Sequence, residues 1–307
     1  MRHLVIGIDG GGTKTLGAIF NESGEELMRA EFGFSNFSID EKVATDNILK
    51  TIEALLVKRE LHDQVVIIMG ISGASKLSNK EQFIRHIESK YQVHAELVTD
   101  AMIALHSIDR KDNEHVIMAI GGTGSAVMTL ENDQMNLIGG YGYLLGDEGS
   151  SYHLVIEALK RVTACFDAGQ SFSPLGNALL RHMNVKDRES LISFVYQSRK
   201  TELAQLAKVI SEMALSSDLE AYELLVNEGK MLAKQVITAS NRMTKGKHIK
   251  IALRGGFVLN APFVKDAFEN EVNKNIENSR MEEHPNDAVR GAYRLGIKKF
   301  SSEVTTW

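Results

Sequence analysis

Cysteine is almost absent from the chain: Cys165 stands alone among 307 residues. That excludes an internal disulfide, a zinc site made only of thiolates and a four-thiolate iron–sulfur cluster within one chain, and it fits a reducing cytoplasm. Three prolines are too few for long disordered linkers. No apolar run approaches the ~20 residues of a membrane span, and no leader-length apolar stretch precedes the short segment that ends at Asp9. A basic excess is also missing. The formal net charge of -5 offers no means of releasing counterions from nucleic acid or holding an anionic membrane, so neither is expected as a partner. Lys245, Lys247 and Lys250 accordingly read as solvated surface.

What is present is ordinary for a compact globular protein, with 43% apolar and 24% charged residues. The length is about twice that of a usual single domain, which predicts two domains around a cleft. Leu4 to Ile8, then Asp9 and three glycines, then Leu16 to Phe20 predict a β-hairpin with a glycine-rich turn. A Walker or Rossmann loop would open a helix instead, and the Gly-Lys-Ser/Thr ending is missing. Helical spacing over residues 40–60 and 79–91 alternates with strand-like Val65 to Ile71 and Val93 to Val98, and a short helix is expected from Ala101 to His106.

Val116 to Ile120, Gly121-Gly122-Thr123-Gly124-Ser125 and Ala126 to Leu130 repeat the strand, glycine turn and strand of the N-terminus. Two such units about a hundred residues apart predict two related α/β halves, each contributing one loop to a shared cleft. Ser150 to Met243 is mostly helical. Strand character returns at Ile249 to Leu253, and a last helix is expected from about Ala288 to Lys299, capped by Asn286 or Asp287. That helix is expected to pack back on the first domain, giving domains of 1–117 with 288–307 and of 118–287.

Several constellations carry chemistry. In Asp9-Gly10-Gly11-Gly12-Thr13-Lys14-Thr15 the glycines let backbone approach phosphate oxygens, Thr13 and Lys14 add donors, and Asp9 can hold a Mg²⁺-bound water. Gly122, Thr123, Gly124 and Ser125 offer backbone N–H groups and two hydroxyls for the same purpose. Asp100 follows a strand's carboxyl end, where a carboxylate can take a proton from a hydroxyl attacking a γ-phosphate; its competing reading is a helix N-cap. The run from Gly139 and Gly140 through Tyr143 to Asp147 and Ser150 combines aromatic faces with carboxylates, which suits a polyhydroxylated ring. Gly255-Gly256, after a strand, can let an adenine lie flat against backbone or can simply turn the chain.

The ordered segments IGIDGGGTKT, VTDA, AIGGTGSA, GGYGYLLGDEGSSY and LRGGF, spread from Ile6 to about Leu295, resemble the N-acetylglucosamine kinase branch of the BadF/BadG/BcrA/BcrD ATPase family, in the actin, hexokinase and Hsp70 superfamily. The resemblance implies an α/β fold of two ribonuclease-H-like, actin-like ATPase domains around a central nucleotide and sugar cleft. Phosphate loops at Asp9, Gly11, Gly12, Thr13 and Lys14 and at Gly122 to Ser125, an adenosine loop at Gly255-Gly256, and Asp100 as base and sugar ligand follow from it. So do sugar contacts from Asn36, Ser72, Gly73, Gly140, Tyr143 and Asp147, ATP and Mg²⁺ as cofactors, a small amino sugar as partner, closure of the domains, and a homodimer. Tyr143 stands where relatives often carry histidine, and Phe37 follows Asn36. These departures leave N-acetylglucosamine, glucosamine and N-acetylmuramic acid open, with the 6-hydroxyl as the expected acceptor.

Two other readings compete. An ATP-driven electron-transfer activator would need cluster cysteines, and a dimer offers only two Cys165 thiolates. A non-catalytic sugar sensor would carry a fused DNA-binding segment, for which the early first strand leaves no room.

Overall fold

A computed structural model describes residues 2–111 and 114–303; residues 304–307, assigned above to the first domain, lie outside the described residues. Two compact units divide the chain, Met1–Asp109 with Glu283–Trp307, and Arg110–Glu282.

The first unit begins with β1 (His3–Gly10), β2 (Thr15–Phe20) and β3 (Glu26–Phe32). It continues through α1 (Glu41–Leu56), β4 (Gln64–Ile71), α2 (Lys80–Tyr91), β5 (His94–Val98) and α3 (Asp100–Ser107). The sheet order is β3-β2-β1-β4-β5, with β2 and β3 antiparallel and β4 and β5 parallel to β1. Continuous apolar runs build β1 and β4 because both sheet faces are covered. Leu4, Ile6, Ile8, Val65, Ile67 and Met69 share one core with Ile48, Ile52 and Leu55 of α1. Val66 and Ile68 point to the opposite face, against Ile103 of α3. Asp40 caps α1 by accepting Val43 N at 3.0 Å.

The second unit opens with β6 (Glu114–Gly121), β7 (Ser125–Glu131) and β8 (Gln134–Gly139). Six helices follow: α4 (Ser151–Ala168), α5 (Pro174–His182), α6 (Arg188–Gln197), α7 (Lys200–Gln205), α8 (Ala207–Leu215) and α9 (Leu219–Arg242). The unit ends with β9 (His248–Arg254), α10 (Gly256–Asn260), α11 (Val264–Asn275) and β10 (Ser279–Met281). Its sheet order is β8-β7-β6-β9-β10, with the directions of the first sheet repeated strand for strand. The echo of two glycine turns in the sequence is therefore a duplicated ribonuclease-H-like sheet, and the fold is α/β of the actin-like ATPase type.

The chain returns to the first unit as α12 (Ala288–Glu303). Val289 and Ala292 come so close to β1 that a Cβ on Gly7 would lie 2.6 Å from Val289 O. Near the start of α12, Asn286 donates to Ser107 O at 3.1 Å, while Asp287 accepts Arg29 Nη1 at 2.6 Å through its carboxylate and Arg290 N at 3.0 Å through its carbonyl.

Lys250 corrects the sequence reading. It sits in β9 between β6 and β10 and is 8% exposed, because a strand paired on both sides and covered by helices carries even a lysine inside. Lys245 is exposed and Lys247 half-buried.

Candidate active site

In the first unit, β1, β4 and β5 run parallel, so Gly10, Ile71 and Val98 end at one edge of the sheet, where open α/β sheets place ligands. Register sets Asp9 and Val98 on either side of Gly70. The segments leaving that edge are tied together. Ser72 N donates to Gly10 O at 2.8 Å, Ser35 N to Gly11 O at 3.0 Å and Phe37 N to Ser72 O at 3.2 Å. Asn36 Nδ2 reaches Ser72 Oγ at 3.2 Å, and Gly73, at φ +76°, backs onto Asn36 and Ser38. Asn36, Ser72 and Gly73 thus form one cluster beside the first glycine turn. Phe37, by contrast, is buried against Phe83 with ring centroids 5.8 Å apart, so it belongs to the core.

The turn itself closes by Gly11 N donating to Lys14 O at 3.0 Å. Nothing lies near a Cβ built on Gly11, and Gly12 has one neighbour, Ile39, at 3.7 Å. These two glycines face open space that a bulky anion can enter. Thr13 is exposed; Lys14 Nζ pairs with Glu31 at 2.8 Å on the surface. Asp100 is the first residue of α3 and not its cap. Thr99 accepts Met102 N at 3.2 Å, and among the described residues Asp100 Oδ1 receives only the adjacent Ala101 N at 2.9 Å.

Asp9 is the electrostatic centre of this edge. Burial, then the negative charges of Asp100 and Asp287, push its carboxyl from the ordinary 3.8 up to about 6, against a smaller opposing pull from Lys14. A carboxylate held at such cost fits a cation. Among the described residues no group of three or more His, Cys, Asp or Glu could cage a metal. A single buried carboxylate is the kind of donor that a water-keeping cation such as Mg²⁺ takes together with phosphate oxygens.

The second glycine turn repeats the first. Gly122 N donates to Gly124 O at 2.9 Å, and Gly122 O is held by Ser151 N and Oγ at 2.9 and 3.0 Å. Only Gly124 O, at 4.0 Å, approaches a Cβ built on Gly122. Ser125, expected to present donors outward, is buried. Its hydroxyl donates to Glu148 O at 2.7 Å and its N to Asp147 at 3.4 Å. Gly122, Thr123, Ser151 and Gly256 line a cavity of about 650 Å³, together with Lys208 and Glu212 of α8.

Within the glycine-dense run, Gly140 and Tyr143 are exposed while Asp147 is buried at φ +70°. Asp147 Oδ2 accepts Lys200 Nζ at 2.6 Å. All three belong to the second unit, whereas the Asn36, Ser72 and Asp100 group belongs to the first.

A profile of the BadF/BadG/BcrA/BcrD ATPase family matches residues 6–293. The chain belongs to this family. It is 29% identical over 299 residues to an N-acetylmuramic acid/N-acetylglucosamine kinase of Clostridium acetobutylicum, covering 94% of this chain and 96% of that one. It is 26% identical to an N-acetyl-D-glucosamine kinase of Dictyostelium discoideum, covering 96% and 98% of the two chains. A solved Chromobacterium violaceum protein, provisionally named an N-acetylglucosamine kinase, superposes with a TM-score of 0.66 at 25% identity over 96% of this chain and 99% of its own.

In this BadF/BadG/BcrA/BcrD member two anchors had no signature in the sequence. Glu228 of α9 is fully buried; its carboxylate accepts Gly149 N at 2.7 Å and sits 2.9 Å from His153 Nδ1, whose pKa it raises. Lys200 lies in a helical stretch with no recognisable motif. Both are single charged residues on helices, and only the return of those helices to the loop gives them a partner. No described helix is long and apolar enough to cross a membrane.

Proposed function

We propose that this protein transfers the γ-phosphoryl group of ATP to a hydroxyl of an amino sugar, converting N-acetylglucosamine to N-acetylglucosamine 6-phosphate. The observation that carries the reading is the pair Asp9 and Asp100 beside a glycine turn with open space at Gly11 and Gly12. The names of the two curated relatives support the substrate class.

The residues divide the work by unit. Asn36, Ser72 and Gly73 bind sugar hydroxyls and border the acetamido group, and the hydrogen bond from Asn36 to Ser72 holds that pair in place for it. Asp100 orients the acceptor hydroxyl and takes its proton as the bond to phosphorus forms, its side chain being free of capping duty. Backbone N–H groups of the first glycine turn, with Thr13 and Lys14, serve as phosphate donors in the first unit, and those of the second turn, with Thr123, serve as phosphate donors in the second. Asp9 would hold Mg²⁺, and the ion would supply positive charge against the phosphates. The cavity at Gly122, Thr123 and Gly256 takes the nucleoside. We assign the sugar to the first unit and the nucleotide to the second.

The test is release of ADP from Mg-ATP with N-acetylglucosamine, glucosamine, N-acetylmuramic acid, N-acetylmannosamine and glucose in turn. Turnover led by N-acetylglucosamine supports the assignment. Turnover led by another amino sugar moves the substrate within the class. Silence across the panel while ATP still binds sinks the kinase reading.

A further inference from the structure

The second glycine turn has no cation of its own. Gly121 to Ser125 contains no basic residue, Ser125 spends both its donors inward, and the first turn's equivalent charge is Lys14. A nucleotide phosphate lying there would meet backbone N–H groups and the Thr123 hydroxyl alone, although a polyphosphate carries several negative charges.

Lys200 supplies what the turn lacks. Its ammonium lies so close to Gly124 that a Cβ on that glycine would stand 3.0 Å from Nζ and 2.7 Å from Asp147 Oδ2. It is placed from several sides: Asp147 accepts at 2.6 Å, and the Tyr143 and Tyr152 rings lie 5.4 and 5.7 Å away. Asp147 is itself fixed, 4% exposed and bonded to the turn at Ser125 N. An ammonium has three N–H donors, and among the described residues Asp147 is the one hydrogen-bond acceptor of Lys200. Its side chain stays 29% exposed, and the next residue, Thr201, lines the cavity together with Gly122 and Thr123.

We propose that Lys200 is a phosphate-binding residue of the nucleotide site, its ammonium held against Gly124 by Asp147 and directed at the phosphates of a nucleoside di- or triphosphate. Gly124 is then glycine to make room for this ion pair, whereas Gly122 is glycine to leave room for the ligand. The proposal rests on reading Gly121 to Ser125 as a phosphate turn.

The experiment compares binding of ADP and of adenosine, without sugar, to the wild type, Lys200→Met, Lys200→Arg and Lys208→Met. Lys200→Met is expected to weaken ADP about tenfold to a hundredfold and leave adenosine unchanged, with Lys200→Arg recovering most of the loss. Lys208→Met, on the cavity wall, should change the ratio far less. Equal loss of both ligands in Lys200→Met would make the pair a structural brace and overturn the proposal. Binding of both ligands unchanged in Lys200→Met would overturn it and leave the phosphate turn standing. Failure of the wild type to prefer ADP over adenosine would remove the phosphate turn and the proposal together.

Discussion

Gly255 and Gly121 lie back to back: a Cβ on Gly255 would stand 2.5 Å from Gly121 O and 2.7 Å from its carbonyl carbon. Gly255 also sits at φ +101°, ψ 138°, a region essentially closed to other residues. The contact joins the turn after β6 to the turn after β9, strands that pair in parallel up to Ile120 and Arg254. Gly256 is different, exposed and on the cavity wall, with only Asn260 near its Cβ position.

The two glycines should therefore separate on mutation. Gly255→Ala combines backbone strain with a clash against backbone that cannot swing away, and is expected to destabilise by about 3 kcal/mol or more. Gly256→Ala should keep the wild-type melting temperature while weakening ADP. Thermal unfolding with ADP titration on both variants checks this; equal melting of Gly255→Ala and wild type would contradict it.

Asp100→Asn is expected to reduce turnover by about a hundredfold to ten-thousandfold with ATP affinity unchanged. Because Thr99 caps α3, the substitution removes no cap and the fold should hold. Turnover near the wild-type value would place the base elsewhere.

Asp9 makes stability depend on pH in the sense opposite to a salt-bridged carboxylate. Its folded pKa of about 6 exceeds the ordinary 3.8, so its contribution is whole below about pH 4 and is lost as pH rises through 6. The displacement corresponds to about 3 kcal/mol above pH 7. Without Mg²⁺, Asp9→Asn should be more stable than wild type at pH 8 and nearly equal to it at pH 4. Added Mg²⁺ with ADP should narrow the gap at pH 8 by stabilising the wild type more. Urea unfolding at both pH values reads the difference, and a gap independent of pH would refute the electrostatic origin.

Glu228 and His153 give the complementary case. The Glu228 hydrogen bond raises the His153 pKa, so the pair's contribution is present below the ordinary histidine value of about 6.5 and is lost as pH rises through the raised one. Glu228→Gln keeps an acceptor for Gly149 N but removes the charge. Its stability deficit should be larger at pH 6 than at pH 9, measured by chemical denaturation; a deficit constant across that range would assign Glu228 to the Gly149 bond alone.

The sequence by itself determined the elements whose signal is local. Buried parallel strands such as β1, β4 and β6 announce themselves as apolar runs, and the turns at Gly10 to Thr15 and Gly121 to Ser125 as glycines between such runs, because backbone sterics and burial act over a few residues. Asp9 and Asp100 stood out as candidates for the same reason, each lying beside a strand end, whereas Asn36 was named only through the family resemblance. Tertiary structure alone decided the rest. Strands β3, β8 and β10 are short or half-exposed, and they exist because β2, β7 and β9 offer them an edge. Lys250 is inside because both neighbours of β9 enclose it, and Phe37 is core because Phe83 returns to meet it. Lys200 meets Asp147 across 53 residues of chain and Glu228 meets Gly149 across 79, and no periodicity along a helix encodes which distant loop its charged side chain will reach.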